Sequence, residues 1–417
     1  MKKNQLSIRL YGKPVGILEQ MSSGGMSFTY DKGNTISISM SMPLREEPYG
    51  KIICEAFFGG LLPESETTKR IIAKRYNISP NNSFALLKAI GNECAGAISC
   101  HLIDEPIASQ DSHLLTGKII TEDELYQHIK ELPRKPLFMD VDGLRLSLAG
   151  VQDKAAICLI NNEIAIPQNN CPTTHILKPM SDHYDGLAEN EYFCLKLAKK
   201  IGLPVADVEL RKIKDSTFLL IERYDRRVQN NFVERIHQED FCQALGILSY
   251  KKYQNEGGPS FKYCFDLLKK TTQPAIDSNF LASLIVFNYL VVNMDAHGKN
   301  FSLLHNIKSG TRLAPFYDII CTRVYQKLTC KMAMKIGSKY DADLVLARHW
   351  QQLCKEVNYR YIAMLKLIET LGNKIIDAAK EEKEQLIAQE TYHPIIDKII
   401  SLIENQIEKT LRRFENV

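Results

Sequence analysis

The sequence predicts an α+β chain whose first half is rich in strands and whose second half is mainly helical. Three observations carry that expectation. Up to about residue 100, apolar and polar residues alternate, as in Leu6-Ser-Ile-Arg-Leu10 and Val15-Gly-Ile-Leu18, which is the period of a half-buried strand. Later, Phe280 to Val292 is an almost continuous apolar run, too short to span a bilayer and long enough for a buried helix. Where that run ends, Asn293-Met-Asp295-Ala-His297-Gly-Lys299-Asn300 begins, and Pro315-Phe-Tyr-Asp318 follows. An Asp, an Asn five positions on and a second Asp beyond a hairpin-length gap is the order in which kinase-type enzymes place a catalytic base and two magnesium ligands. The expected fold is therefore two-lobed and protein-kinase-like, with a small β-rich lobe, a large helical lobe and an N-terminal α+β subdomain.

The elements follow in order. Residues 1–103 form the N-terminal subdomain, with strands at Leu6, Val15 and Ser37-Ile-Ser-Met40 and turns at Gly24-Gly25 and Lys32-Gly33. Helical spacing then runs from Cys54 through Ile90, with a start at Ser65/Thr67 and a break at Asn81-Asn82. Residues 104–137 are polar and Pro-containing, a connecting segment with one short helix at Glu122 to Lys130. The small lobe is expected over 138–225 and the large lobe over 226–417. Within the small lobe, Gly143 to Ile160 is a Gly-containing loop leading into an apolar strand, without the GxxxxGK[ST] spacing of a Walker A loop. Thr173-Thr-His-Ile-Leu-Lys178 is a short β-prone segment ending in Lys, where a strand-borne ATP lysine is needed. Leu187 to Pro204 reads as a helix with a Gly202-Leu-Pro204 stop. Its Glu189 and Glu191 complement the helix dipole, and Glu191 is also a candidate ion-pair partner for the nucleotide-binding lysine. Ser216 to Glu222 is a strand entering a charged turn, the place of a hinge whose backbone holds adenine. Asn300 to His305 and Thr311 to Tyr317 pair around a Ser309-Gly310 turn, which returns Asp318 to Asn300. From Tyr361 onward the chain is amphipathic helix.

The chemistry needs this set. Phosphoryl transfer requires a carboxylate to orient the attacking hydroxyl, here Asp295, and hard oxygen ligands for magnesium, here Asn300 and Asp318. Asp- and Asn-rich loops also arise from ordinary turn chemistry. An ordered set placed between apolar runs favours the catalytic reading.

Further stretches complete a resemblance. Ser147-Leu-Ala-Gly150-Val-Gln152-Asp-Lys154, Ile221-Glu222-Arg-Tyr224-Asp225, Gln238-Glu-Asp240-Phe, Gly257-Gly-Pro259, Ser22-Ser-Gly-Gly, Ser39-Met-Ser-Met-Pro43, Phe57-Phe-Gly-Gly-Leu-Leu-Pro63 and Gly91-Asn-Glu-Cys-Ala-Gly96, with the motifs above, resemble the HipA serine/threonine kinases. These are the toxins of HipA/HipB toxin-antitoxin systems, and the likeness covers nearly the whole chain. It implies ATP and magnesium as cofactors, Asp295 as catalytic base, and Asn300 and Asp318 as metal ligands. His297, Lys178, Glu222, Tyr224 and the loop residues Gly150, Val151, Gln152 and Lys154 become nucleotide contacts. Ser147 becomes a self-phosphorylation site that ejects its loop and silences the enzyme. The implied partners are a HipB-like helix-turn-helix antitoxin, operator DNA mainly through that antitoxin, and a protein substrate among translation components. For that substrate the family suggests an aminoacyl-tRNA synthetase such as the glutamyl enzyme.

Composition sets the frame. The 417 residues allow two or three domains. A net charge of +4 is too small to argue direct nucleic-acid binding. The 11 cysteines contain no CxxC pair, so buried reduced thiols are expected rather than disulfides or a zinc site. Met1 to Leu10 alternates like a strand and lacks a secretory leader pattern, so a cytoplasmic protein without membrane contact is expected. Two other classes share the motif: a small-molecule phosphotransferase of kinase-like fold, and a non-catalytic corepressor acting with a DNA-binding antitoxin.

Overall fold

The computed structural model describes residues 4–414 except 23, 108–112, 137–144, 151, 169 and 182. An N-terminal sheet has the strand order Met26–Tyr30, Lys13–Gln20, Gln5–Leu10, Ile98–Leu102, and its pairings are antiparallel. A second, six-stranded sheet has the order Gly117–Ile119, Glu163–Pro167, Ala155–Ile160, His175–Pro179, Ser216–Glu222, Val208–Ile213. The segment 104–137 thus supplies an edge strand to this sheet, pairing Lys118 with Ile166. Its helix, Glu122–Glu131, starts on a capping box between Thr121 and Glu124.

The chain divides into two compact units. The first comprises 1–179, 220–250 and 303–308, and the second 180–219, 251–302 and 309–417. In the first, Leu6, Ile8, Leu18, Phe28, Phe57 and Phe58 are fully buried, because one face of the N-terminal sheet packs on the helix Lys51–Phe58. The helix Glu66–Tyr76 begins at Ser65, whose hydroxyl accepts from Thr68 N, and ends at Asn77 with φ +52°. Asn82 caps Ser83–Ile90 in the same way. The strand expected at Ser37-Ile-Ser-Met40 does not form. Side chains take its backbone instead: Ile38 N donates to Tyr30 Oη at 2.9 Å and Met40 N to Glu239 Oε1 at 2.9 Å, which leaves no partner strand for the alternation to follow.

The second unit is mainly helical: Leu187–Lys200, Phe261–Leu268, Pro274–Leu290, Ala347–Val357, Tyr361–Ala388 and Ile395–Arg412. Its core is built around Trp350 and Tyr289, packed edge to face at 5.2 Å. Pro274 sits in the first turn of its helix, where a missing N–H costs nothing. Among the described residues no helix is long and apolar enough to cross a membrane.

Candidate active site

In the second unit, the helix Pro274–Leu290 stops where Val292 adopts φ +51°. A β-branched residue there is an outlier that its surroundings must enforce. Thr322 supplies the enforcement, its Oγ1 accepting from Met294 N at 2.8 Å and donating to Val292 O at 3.2 Å. Asn293 is buried, its amide donating to Asn288 Oδ1 at 3.0 Å, and its Oδ1 accepts Asp295 N at 3.1 Å. The chain therefore leaves a buried helix through a fixed bend and emerges at Asp295, whose side chain is exposed. A tight turn follows, with His297 N donating to Asp295 O at 2.7 Å and Asn300 N to His297 O at 2.9 Å.

The strands Ser302–Asn306 and Gly310–Leu313 then pair, and Asp318 comes back to Asn300. Asn300 Nδ2 donates to Asp318 Oδ2 at 3.1 Å. Asp318 holds φ +57°, a conformation that an Asp tolerates better than most residues. Tyr317 secures the return, its hydroxyl 2.6 Å from Ser302 Oγ and donating to Lys299 O at 2.7 Å. Behind it, the fully buried Asn190 accepts Cys321 N at 2.9 Å and donates to Cys321 O at 3.1 Å. Its neighbours Glu189 and Glu191 are also buried, although the sequence alone allowed them to be solvated dipole partners.

The donor set fits magnesium. Asn300 Oδ1 is buried and has no hydrogen-bond partner, a loss of about 1–3 kcal/mol if nothing fills it. A hard cation takes an amide oxygen and one adjacent carboxylate readily. Asn300 and Asp318 supply that pair.

In the first unit, Ser147 is buried. Its N–H donates to Glu93 O at 2.8 Å and its hydroxyl to Leu61 O at 2.7 Å. Gly150 has φ +108° and its carbonyl accepts Glu64 N at 3.0 Å. Lys154 bonds back to Ala149 O, and Gln152 is half-buried. Val151 lies outside the described residues. Lys178 is the penultimate residue of the strand His175–Pro179 and is buried, Glu222 is exposed, and Tyr224 donates its hydroxyl to Gln238 Oε1.

One cluster here was not anticipated. Glu93 Oε1 accepts Thr173 N at 2.9 Å, Thr173 Oγ1 at 2.8 Å, Arg223 Nη1 at 3.3 Å and Arg226 Nη2 at 3.2 Å. Asp225 bonds Arg223 Nε at 3.0 Å and Arg226 Nη1 at 2.9 Å. Burial alone would raise the Glu93 carboxyl, but Arg235, Arg226 and Arg223 outweigh it and hold it below the usual range. Asp225 is lowered by the same contest, won by Arg223 and Arg226. Arg226 is pushed down to about 10 by burial and by Arg223. The cluster joins the segment before Lys178, the turn after Glu222 and the segment that docks Ser147. Glu93 stands in a motif that the sequence displays, but nothing local marks its carboxylate as buried.

Comparison with known proteins now has a geometry to attach to. Residues 6–101 match the HipA N-terminal domain and residues 146–382 the HipA-like C-terminal domain. The chain belongs to the HipA family. It is 42% identical over 378 residues to Y4mE of Sinorhizobium fredii, covering 89% of each chain. It is 32% identical over 304 residues to the serine/threonine-protein kinase toxin HipA of Shewanella oneidensis, covering 70% of this chain and 68% of that one. In three dimensions it matches HipA from the Shewanella oneidensis complex of HipA, HipB and operator DNA. That match has a TM-score of 0.85 and 25% identity over 99% of both chains. The α+β kinase-like fold expected from the sequence is therefore the fold of the HipA family.

Proposed function

We propose that this HipA-family chain is an ATP- and magnesium-dependent protein serine/threonine kinase, acting as the toxin of a toxin-antitoxin pair. The observation that carries the reading is the buried, unpartnered Asn300 Oδ1 beside Asp318, on the loop that presents Asp295 to solvent. Asp295 accepts the proton of the attacking hydroxyl. Magnesium held by Asn300 and Asp318 would neutralise charge on the phosphates. Lys178 contributes a positive charge for the phosphates, and His297 and the loop residues Gly150, Val151, Gln152 and Lys154 add nucleotide contacts. Glu222 and Tyr224 form the adenine-binding hinge, and Glu191 is the lysine-positioning carboxylate. In this assignment 1–103 is the N-terminal subdomain, 104–137 the connection, 138–225 the small lobe and 226–417 the large lobe.

Ser147 is the proposed off-switch. Its hydroxyl is buried against Leu61 O, so it must leave that place to be phosphorylated. A phosphate carries up to about two negative charges and could not return to a buried carbonyl environment. Relatives suggest the partners: a HipB-like antitoxin, with operator DNA contacted mainly through it. The substrate is a translation component, an aminoacyl-tRNA synthetase such as the glutamyl enzyme, reached in the cytoplasm. The test is incubation of the purified chain with labelled ATP, magnesium and a bacterial lysate, followed by identification of labelled sites. Label on Ser147 and on one translation protein is expected. Absence of label from both defeats the proposal, and label on small alcohols alone replaces it with a small-molecule phosphotransferase.

A further inference from the structure

We propose that Tyr253 is a positioning residue for Asp295, and that the Gly257-Gly258-Pro259 turn serves to hold it there. The proposal rests on the reading of Asp295 as the catalytic base. Tyr253 Oη donates to Asp295 Oδ1 at 2.7 Å, and its ring meets His297 edge-on, with centroids 5.2 Å apart and planes at 87°. An exposed aspartate on a loop would otherwise pay to order its carboxylate in each transfer step. The phenol's bond to Oδ1 limits the orientations that the carboxylate can take.

The backbone around Tyr253 is tied on both sides. Its carbonyl accepts Glu256 N at 3.0 Å and Gly258 N at 2.8 Å, while the preceding carbonyl, of Lys252, accepts Gly298 N from the catalytic loop at 3.1 Å. Gln254 Oε1 accepts Lys335 N at 2.9 Å. Gly257 has φ +94°, a conformation that disfavours other residues. A Cβ on Gly258 would lie 2.7 Å from both Lys252 C and Tyr253 O, so this turn closes only around glycine. The motif therefore fixes the phenol relative to the loop that carries Asp295, as a supporting residue must if the carboxylate is to stay within a fraction of an ångström of its working position.

The opposite role is also chemically possible: a phenol on the base could occupy the acceptor's place and slow the enzyme. The two differ in sign. Tyr253→Phe, assayed as the full chain with labelled ATP, magnesium and its own hydroxyls and lysate proteins as acceptors, should lower kcat by about tenfold to a hundredfold. The KM for ATP should stay unchanged. Gly258→Ala, which keeps the phenol, should lower kcat in the same direction, and the double variant should be no slower than the slower single, as for residues acting as one unit. A readout without nucleotide is the ¹⁹F resonance of 3-fluorotyrosine at 253, assigned by its absence in Tyr253→Phe. It should move in Asp295→Asn and in Gly258→Ala. Wild-type or faster turnover in Tyr253→Phe overturns the proposal, and so does a resonance that ignores Asp295→Asn. Full activity in Asp295→Asn instead removes the underlying reading of the base, and is told apart because the resonance still reports the bond.

Discussion

The two units fix their loops by opposite means. In the first, formal charges sunk in the interior do the work: Glu93 and Asp225 against Arg223 and Arg226, with Arg235 4.0 Å from Glu93. In the second, the segments carrying Asp295, Asn300 and Asp318 are held mainly by neutral groups, namely Asn190, Asn293, Tyr317 and Thr322, with one ion pair, Arg312 to the buried Asp277 at 2.9 Å, on the hairpin between Asn300 and Asp318. The difference follows from what each must do. Glu93 draws together stretches 80 to 133 residues apart in sequence, and ion pairs with many hydrogen bonds penalise wrong partners strongly. Around Asp295 and Asp318 amides and hydroxyls serve instead: Asn293, Asn300 and Tyr317 bond nearby segments and add no net charge.

The comparison predicts that the charged clamp is the more fragile. Glu93→Gln leaves Arg223 and Arg226 buried with one carboxylate between them, at a cost of about 3–5 kcal/mol, read as a lower denaturant midpoint. Its pH dependence has a defined sign. Glu93 and Asp225 have folded pKa values below their usual ones. Their contribution is therefore fully present above the unfolded values of about 4, and it is lost as pH falls below them. Acid unfolding of wild type should be steep below about pH 4 and shallower in Glu93→Gln. Equal slopes would show that the cluster is not the acid-sensitive element.

The neutral clamp should cost less to break. Asn190→Leu deprives Cys321 of partners for both its N–H and its carbonyl, worth about 2–3 kcal/mol, and loosens the segment just beyond Asp318. Phosphoryl transfer should fall with it. A variant that lost stability but kept its kcat would separate this helix from the site.

These two clamps also mark how far the sequence could be read. The strand alternation at Leu6 and Val15, the apolar helix before Asn293 and the hairpin between Asn300 and Asp318 all have local signatures, and the structure contains them. The failed strand at Ser37 shows the limit. Its alternation is real, but Tyr30 and Glu239 claim the backbone, and Glu239 is 199 residues from Met40. Glu93, Asn190 and Thr322 escaped for the same reason, since each bonds a segment distant in sequence. Tyr253 could have been suspected, because Gly257-Gly258-Pro259 is a turn that needed a purpose.

The smaller effects separate docking from chemistry. Ser147→Ala removes a donor from Leu61 O and should cost about 1 kcal/mol, while preventing self-inactivation. Label transfer to other proteins should then persist through prolonged incubation, where wild type decays. A decay identical to wild type would place the off-switch elsewhere.

Asp295→Asn should have the smallest effect on stability and the most complete one on turnover. Its side chain is exposed, and the amide can still accept from Tyr253. Surface changes of this kind fall within about 0.5 kcal/mol, so the denaturant midpoint should stay in place. An amide cannot take the proton of an attacking hydroxyl, and loss of a general base costs about 10²- to 10⁴-fold. A stable protein without transfer therefore locates the function in Asp295. A destabilised one would mean that the neutral clamp depends on that carboxylate, and the contrast between the two units would be weaker than the structure indicates.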